Sequence, residues 1–592
     1  MFCEWKATCL KRGMTTRKQL VGLAALLASA SLCYGQHPKL SPDLEGRDPE
    51  ARVNVIVQYK RRPQQSHIDA VVRKGGQHLR TLNVVNGAVY SVAAKELADL
   101  ANDPDVKYIS PDRAVKASSS SSITAAPELS PDYKLQAIGA NTAQRNGFNG
   151  ARVGVAIIDS GITNKPDLHF SSPGFTTAAA TTSTVNAGGA YRVVYAENIL
   201  NPGGSTDDVY GHGTHVAGIV GGNGSQSDGV YAGVAPEVNL INLLVLNNQG
   251  SSTDSTVIAG IQQAIQLASQ YNIQVINLSL GRPVFESYTV DPLCQAVEAA
   301  WKSGITVVVA AGNGGENNTE NTSGYVTITA PGNDPYVITV GAMNTQNTLT
   351  TSDDRITSYS SKGPTLLDHI VKPDLVAPGN LIVSVLGDGT LPQEYPQNIT
   401  DTNYFILSGT SMATPMVSGS VALLMQQNPN LTPDQVKALL MLTANKNFPV
   451  SSVETDPTTG TSYTSYYDIF TVGAGYVNVW NALNSTAPLA SGTSLSPVAS
   501  FNSVTDTVSI GNIAGQSVIW GTSAVWSDSV IWGTALVSGS SIIWGTSVIW
   551  QTGAPSSLSV IWGTSVIWGT SVIWGTSVPT EEANNIAIYG NR

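Results

Sequence analysis

Three glycine-flanked segments constrain this 592-residue chain more than anything else in it: Asp159-Ser160-Gly161, Gly211-His212-Gly213-Thr214-His215 and Gly409-Thr410-Ser411-Met412-Ala413. Each sets one carboxylate, imidazole or hydroxyl among residues small enough for backbones to approach closely. The chain order is Asp, then His, then Ser. A lone Ser hydroxyl is a weak nucleophile at neutral pH and needs a base beside it. Imidazole suits that role because its pKa lies near the working pH. A carboxylate on the other ring nitrogen fixes the tautomer and stabilises the imidazolium. A fold that uses all three must bring together segments far apart in sequence.

The flanking sequence says what kind of fold. Val153-Gly154-Val155-Ala156-Ile157-Ile158 is an apolar run of buried-strand character ending at Asp159, at the carboxyl edge where open α/β sheets place their sites. His212 and Ser411 stand at the start of small-residue, helix-compatible runs, His215 to Val220 and Met412 to Val417. Ile305 to Asn313 reads as a strand ending in Gly-Asn, and Val275 to Gly281 as a strand ending in Ser-Leu-Gly. Helical patterns cover Ile258 to Ser269 and Val290 to Lys302. Such alternation predicts a parallel α/β sheet.

With the longer motifs Gly211 to Gly218 and Gly409 to Pro415 in view, the chain resembles the subtilases, the subtilisin-like serine peptidases, over roughly residues 130 to 485. Asp–His–Ser is also the order known from subtilisin. Ser360-Ser361-Lys362-Gly363-Pro364 and Lys372 to Gly379 match further signatures of the family. The resemblance implies an α/β, three-layer, parallel-sheet catalytic domain that hydrolyses peptide bonds in proteins or peptides. It implies a catalytic triad of Asp159, His212 and Ser411, with Asn313 and the Ser411 amide as oxyanion donors. It implies two substrate-binding edges, Ser279-Leu280-Gly281 and the segment Gly250-Ser251-Ser252-Thr253, which pair with an extended peptide by strand addition. His215 invites a metal reading beside His212, but metal clusters need more ligands. The resemblance makes His215 structural, and no metal or other cofactor is expected in catalysis. Family members commonly bind structural calcium; Gly222 to Gly229 does not match the expected loop, so its site stays unknown.

The rest of the chain divides around this block. Arg17-Lys18 precede the apolar run Leu20 to Leu32, which is short for a membrane span and reads as a secretion signal over residues 1–35. Cleavage after Ala30 or Gly35 fits, and a start at Met14 gives a more ordinary signal than one at Met1. The product is expected to be extracellular, secreted or held at the cell surface. Val53 to Tyr59, Ala88 to Val92 and Val106 to Asp112 read as strands, with helices around Ser66 to Lys74 and Ala94 to Leu100. This resembles the inhibitory α+β propeptide of subtilases, so residues 36–120 are read as propeptide plus the Ser118 to Ser122 linker, and 121–485 as the catalytic domain. Residues 1–120 carry 18 Lys+Arg against 11 Asp+Glu, a balance of +7; the remainder carries 13 against 31, a balance of −18. Opposite charge helps such a propeptide find its own enzyme. The basic footprint of a nucleic-acid binder is absent. Of four cysteines, Cys3, Cys9 and Cys33 lie in or before the signal. Cys294 remains alone in a helical pattern and reads as a small buried hydrophobe.

Residues 486–592 form a linker and a repeat. Trp520, Trp526, Trp532, Trp544, Trp550, Trp562, Trp568 and Trp574 keep a six-residue phase, with Ser538 and Ser556 at the two vacant places. The unit is Ser-Val-Ile-Trp-Gly-Thr. An even period holds Val, Trp and Thr on one strand face, whereas each unit would turn a helix by about 240°. The reading is therefore β-rich: stacked hexapeptide rungs or a strand array. Its role is either docking to a surface or polymer partner, or that of a self-packed stalk. Two rival functions remain open: a silent subtilase fold whose working part is the repeat, and a processing peptidase of narrow specificity.

Overall fold

The computed structural model describes residues 37–117, 133–170, 191–316, 322–456, 460–487, 489, 492–502 and 507–511. The signal, the serine linker and the Trp repeat expected above lie outside the described residues.

The N-terminal unit has strands β1 (Arg52–Tyr59), β2 (Gln77–Leu82), β3 (Gly87–Ala93) and β4 (Val106–Pro111), with helices α1 (Gln65–Arg73) and α2 (Leu97–Ala101). The strands form an antiparallel sheet in the order β2-β3-β1-β4. The three expected strands are present. The fourth, Gln77–Leu82, carries only two apolar residues and lies at the sheet edge, so periodicity alone does not reveal it. Val55, Val57, Tyr90, Val92 and Leu97 make the unit's own core. Ile56, Leu82, Val85 and Val89 face the other way and join the main core of the protein. A period of two sends alternate residues to opposite faces, so one sheet serves two cores.

The main body is built on a mostly parallel sheet. Its strands are β6 (Gly154–Asp159), β7 (Val193–Asn198), β8 (Asn239–Leu244), β10 (Ile273–Leu278), β12 (Thr306–Ala310), β13 (Ile338–Asn344) and β14 (Arg355–Ile356), with β15 (Leu375–Pro378) on β13. The order is β14-β13-β12-β10-β6-β8-β7. Only the short β13–β14 pair is antiparallel. Every residue of β6 and β12 is buried, which explains why those strands read as unbroken apolar runs. Helix α3 (His212–Gly221) packs with α6 (Thr410–Gln427), and α4 (Asp254–Tyr271) with α5 (Pro292–Lys302). The N-terminal sheet sits on α4 and α5.

A four-residue strand, β5 (Ala114–Ala117), leaves the N-terminal unit and enters the main body. It lies antiparallel between β9 (Ser251–Thr253) and β11 (Leu280–Gly281), completing a three-stranded sheet.

The packed body continues past residue 485. Ser496 Oγ donates to Asp374 Oδ1 at 2.5 Å and lies 2.8 Å from Lys437 Nζ. Val371 N donates to Pro497 O, and Ala499 N to His369 O. Strand Val498–Asn502 then pairs with Thr507–Gly511. Lys437 and Asp374 are fully buried, so Ser496 satisfies charges that no water reaches. A chain ending at residue 511 is therefore expected to unfold at the full-length temperature. One ending at 485 exposes Lys437 and Asp374 to loss of a partner and melts several degrees lower, by calorimetry.

Candidate active site

Asp159 ends β6, and its Oδ1 lies 2.7 Å from His212 Nδ1. Both side chains are buried, with at most 1% exposed. Asp159 Oδ1 also accepts the Ser160 N–H at 2.8 Å. His212 is the first residue of α3, after Gly211 at φ +101°. The approach is backbone to backbone: a Cβ on Gly213 would stand 2.2 Å from Gly161 O. Only glycine there lets the imidazole reach the carboxylate.

Sequence reasoning missed the groups that hold this turn. Asp208 accepts from Gly211 N at 2.7 Å, Thr214 N at 2.7 Å and Ser160 Oγ at 2.8 Å. Ser160 Oγ in turn accepts from Gly213 N. Burial raises the Asp208 pKa, and these donors partly offset the shift. The only sequence signal was an acidic pair just before Gly211, which also fits an ordinary turn.

Ser411 follows Gly409 and Thr410 at the start of α6. Its Oγ donates to Ser279 O at 2.9 Å, and Ser279 Oγ donates to Ser411 O at 2.9 Å. Pro415 accounts for the second bond. It has no N–H, so the carbonyl four residues earlier lacks its helical donor, and the Ser279 hydroxyl supplies one. Ser279 is buried in the turn between β10 and β11. No hydrogen bond joins Ser411 Oγ to His212. The Nε2 of His212 is buried and has no hydrogen-bond partner among the described residues.

Asn313 follows β12. Its Oδ1 accepts from Thr410 N and Thr410 Oγ1, both at 3.0 Å. Thr410 Oγ1 also accepts from Gly312 N at 3.2 Å. The amide is thereby oriented, its oxygen toward Thr410 and Nδ2 away from it. Thr410 lies within a motif already quoted, yet its bridging role depends on where β12 ends.

The edges Ser251 and Leu280-Gly281 stand on either side of β5. Lys116 pairs with both Ser251 and Gly281, Ala117 with Leu280, and Val115 with Ser252. Ala117 N donates to Gly250 O at 2.8 Å, and Asp254 N to Arg113 O at 2.8 Å. Val115 is fully buried between the edges. At the head of α4, Asp112 of the N-terminal unit accepts from Ser255 N and Ser255 Oγ, both at 2.8 Å. A carboxylate at a helix N-terminus satisfies orphan donors and complements the dipole.

His215 lies deeper in α3. Its Nε2 faces Ile382 O at 3.1 Å and Phe405 O at 2.9 Å, so the proton sits on Nε2. Nδ1 is buried with no hydrogen-bond partner among the described residues. Burial, then the neighbouring His212, pushes its pKa down to about 3. The unfolded chain binds this proton near pH 6.5, so it holds more protons than the folded chain between about 6.5 and 3. Stability therefore falls as pH drops through that window. In an inactive Ser411→Ala background, His215→Gln is expected to flatten the fall of the urea midpoint between pH 6.5 and 4.

The Asp167 carboxylate is occupied by Ser225 Oγ, Gln226 N and Tyr404 OH. The buried Arg192 guanidinium donates to the carbonyls of Asp167, His169, Gly221 and Val238. Among the described residues no group of three or more His, Cys, Asp or Glu side chains is placed to hold a metal ion. Cys294 is buried, and burial raises its thiol pKa well above the ordinary value. Among the described residues no helix is long and apolar enough to cross a membrane.

Known proteins resemble this chain in sequence and fold. The model of the subtilase family, Peptidase_S8, matches residues 150–473. Serine protease AprX of Bacillus subtilis is 39% identical over 321 residues, covering 52% of this chain and 65% of AprX. Subtilisin E of the same species is 34% identical over 377 residues, covering 64% of this chain and 80% of subtilisin E. The crystal structure of fervidolysin from Fervidobacterium pennivorans, described as a keratinolytic enzyme related to subtilisin, superposes with a TM-score of 0.54. It shares 22% identity and covers 79% of this chain and 66% of its own, a likeness of fold. The chain belongs to the subtilase family, the family of the subtilisin-type serine proteases that it matches.

Proposed function

We propose that this chain is a secreted serine endopeptidase made as a self-processing precursor. The observation that carries the reading is β5, a stretch of the chain itself lying as a third strand between Ser251–Thr253 and Leu280–Gly281, the second of which follows Ser279, whose carbonyl accepts the Ser411 hydroxyl. An extended peptide in that slot is in the pose of a substrate.

The register of β5 supports a cut just beyond it. Ala117 pairs with Leu280 and Lys116 with Gly281, and the residue before Leu280, Ser279, receives the Ser411 hydroxyl on its carbonyl; the residue that follows Ala117 in sequence, Ser118, is therefore proposed as the acyl-side residue. The scissile bond is assigned as Ser118–Ser119. In the reaction the Ser411 hydroxyl turns from Ser279 O to His212 Nε2, and Oγ attacks the Ser118 carbonyl carbon. His212 takes the proton, and Asp159 holds the imidazole in the tautomer with its proton on Nδ1. Asn313 Nδ2 and the Ser411 N–H stabilise the alkoxide. The C–N bond breaks, and His212 returns the proton to the Ser119 amine. Water then releases the acyl group by the same path, with His212 again as base. Residues 37–117 act as an inhibitory propeptide held by Asp112, Arg113 and β5.

The test is covalent. A fluorophosphonate probe is expected to label the purified mature protein on Ser411, mapped by mass spectrometry, and the mature N-terminus is expected at Ser119. An unlabelled, folded protein would favour a silent subtilase fold instead.

A further inference from the structure

The main body holds more of the N-terminal unit than β5. Arg113, two residues before Val115, still has its carbonyl bonded to Asp254 N, so it belongs to the extended segment in the slot. Its side chain enters a site that the main body furnishes. Nη1 lies 2.8 Å from Glu286 Oε1, with the Arg113 and Glu286 side chains 5% and 2% exposed. The guanidinium carbon stands 5.0 Å above the Phe285 ring centre. A carboxylate beside an aromatic face recognises a planar cation, and arginine better than lysine. Asp43 and Ser41 of the N-terminal unit complete the guanidinium's contacts. These leave when that unit leaves. So do Arg113 and Ser110, whose Oγ donates to Glu286 at 2.8 Å.

What stays behind is acidic. Arg282 is already engaged by both carboxylate oxygens of Asp254 and by both of Asp291. Once the N-terminal unit is gone, the Glu286 carboxylate at the far end of the substrate slot loses its hydrogen bonds from Ser110 and Arg113.

We infer that Phe285 and Glu286 form an extended subsite that selects an arginine at the sixth residue on the acyl side of the scissile bond. Counting back from Ser118, Arg113 is that residue. The inference rests on the protease reading and on β5 being a substrate pose. It goes further by naming a preference outside the five positions made up of β5 and the residue that follows it.

The experiment uses the mature protein and four fluorogenic peptides. They share the sequence 114–118 before the cleaved bond and carry Arg, Lys, Ala or Glu at the sixth position. Arg is expected to give kcat/KM about tenfold above Ala, with Lys between them and Glu lowest. Glu286→Gln is expected to bring the Arg and Ala peptides within twofold of each other, and Phe285→Leu to bring Arg down to the Lys level. An Arg-to-Ala ratio under two in the wild-type protein overturns the subsite while hydrolysis itself upholds the protease reading. The same follows if a tenfold ratio survives unchanged in Glu286→Gln. If no peptide is hydrolysed at all, the protease reading fails and the subsite with it. Should Glu286→Gln not mature, the wild-type ratio still decides.

Discussion

Ser411→Ala is expected to leave the precursor uncut and to lower peptide hydrolysis by about 10⁶-fold, the loss measured when a subtilisin is stripped of its nucleophile. The motivation is geometric. Ser411 Oγ is bonded to the carbonyl of Ser279, and the chain's own strand pairs with the next residue, Leu280. In the proposed mechanism the variant removes the attacking atom, and Met412, Ala413 and Pro415 remain to pack α6. The Ser279 hydroxyl still caps the Ser411 carbonyl, because that bond uses backbone. The fold should therefore survive with residues 37–117 still attached. The measurement is intact mass after expression without other proteases, followed by turnover of a small peptide. A purified Ser411→Ala chain that still begins at Ser119 would show that another group cuts the linker, and the assignment of Ser411 would fail.

Asn313→Ala is expected to lower kcat by about 10²–10³ with KM nearly unchanged, the size of loss reported for the corresponding donor of a subtilisin. In the proposed role the Nδ2 donor meets an oxygen that becomes anionic only at the transition state, so its removal should spare ground-state binding. The variant also frees Thr410 N and Oγ1, which now donate to Asn313 Oδ1. Asn313→Asp separates the two effects. It keeps an oxygen for Thr410 and loses the amide donor, so it should be at least as slow as Asn313→Ala while retaining its stability. A large rise in KM at constant kcat in either variant would contradict the oxyanion role.

The family and the parallel sheet were legible because their signals are local. Asp159, His212 and Ser411 each sit within a few residues of glycines that the turn requires, and β6 and β12 are buried on both faces, so they read as apolar runs. Asn313 was legible for the same reason, at the end of β12. Asp208 was not. Its meaning comes from four donors on Tyr210, Gly211, Thr214 and Ser160, two of which depend on how α3 meets β6. The strand Gln77–Leu82 was missed because an edge strand with polar residues lacks the alternation that marks a buried one.

Local order in the sequence thus determined the chemistry: a carboxylate, an imidazole and a hydroxyl in subtilase order, each beside the small residues that its turn needs. Only the tertiary structure decided how those groups are held and what lies against them. It put Ala114–Ala117 between two edges more than a hundred residues further along the chain. It placed Ser279 under the carbonyl that Pro415 leaves bare, and drew Arg113 onto Phe285 and Glu286. The reason is physical. Strand addition uses main-chain groups common to every residue, so side chains carry almost no trace of it. Buried ion pairs and hydrogen bonds form only where the packing of distant elements excludes water.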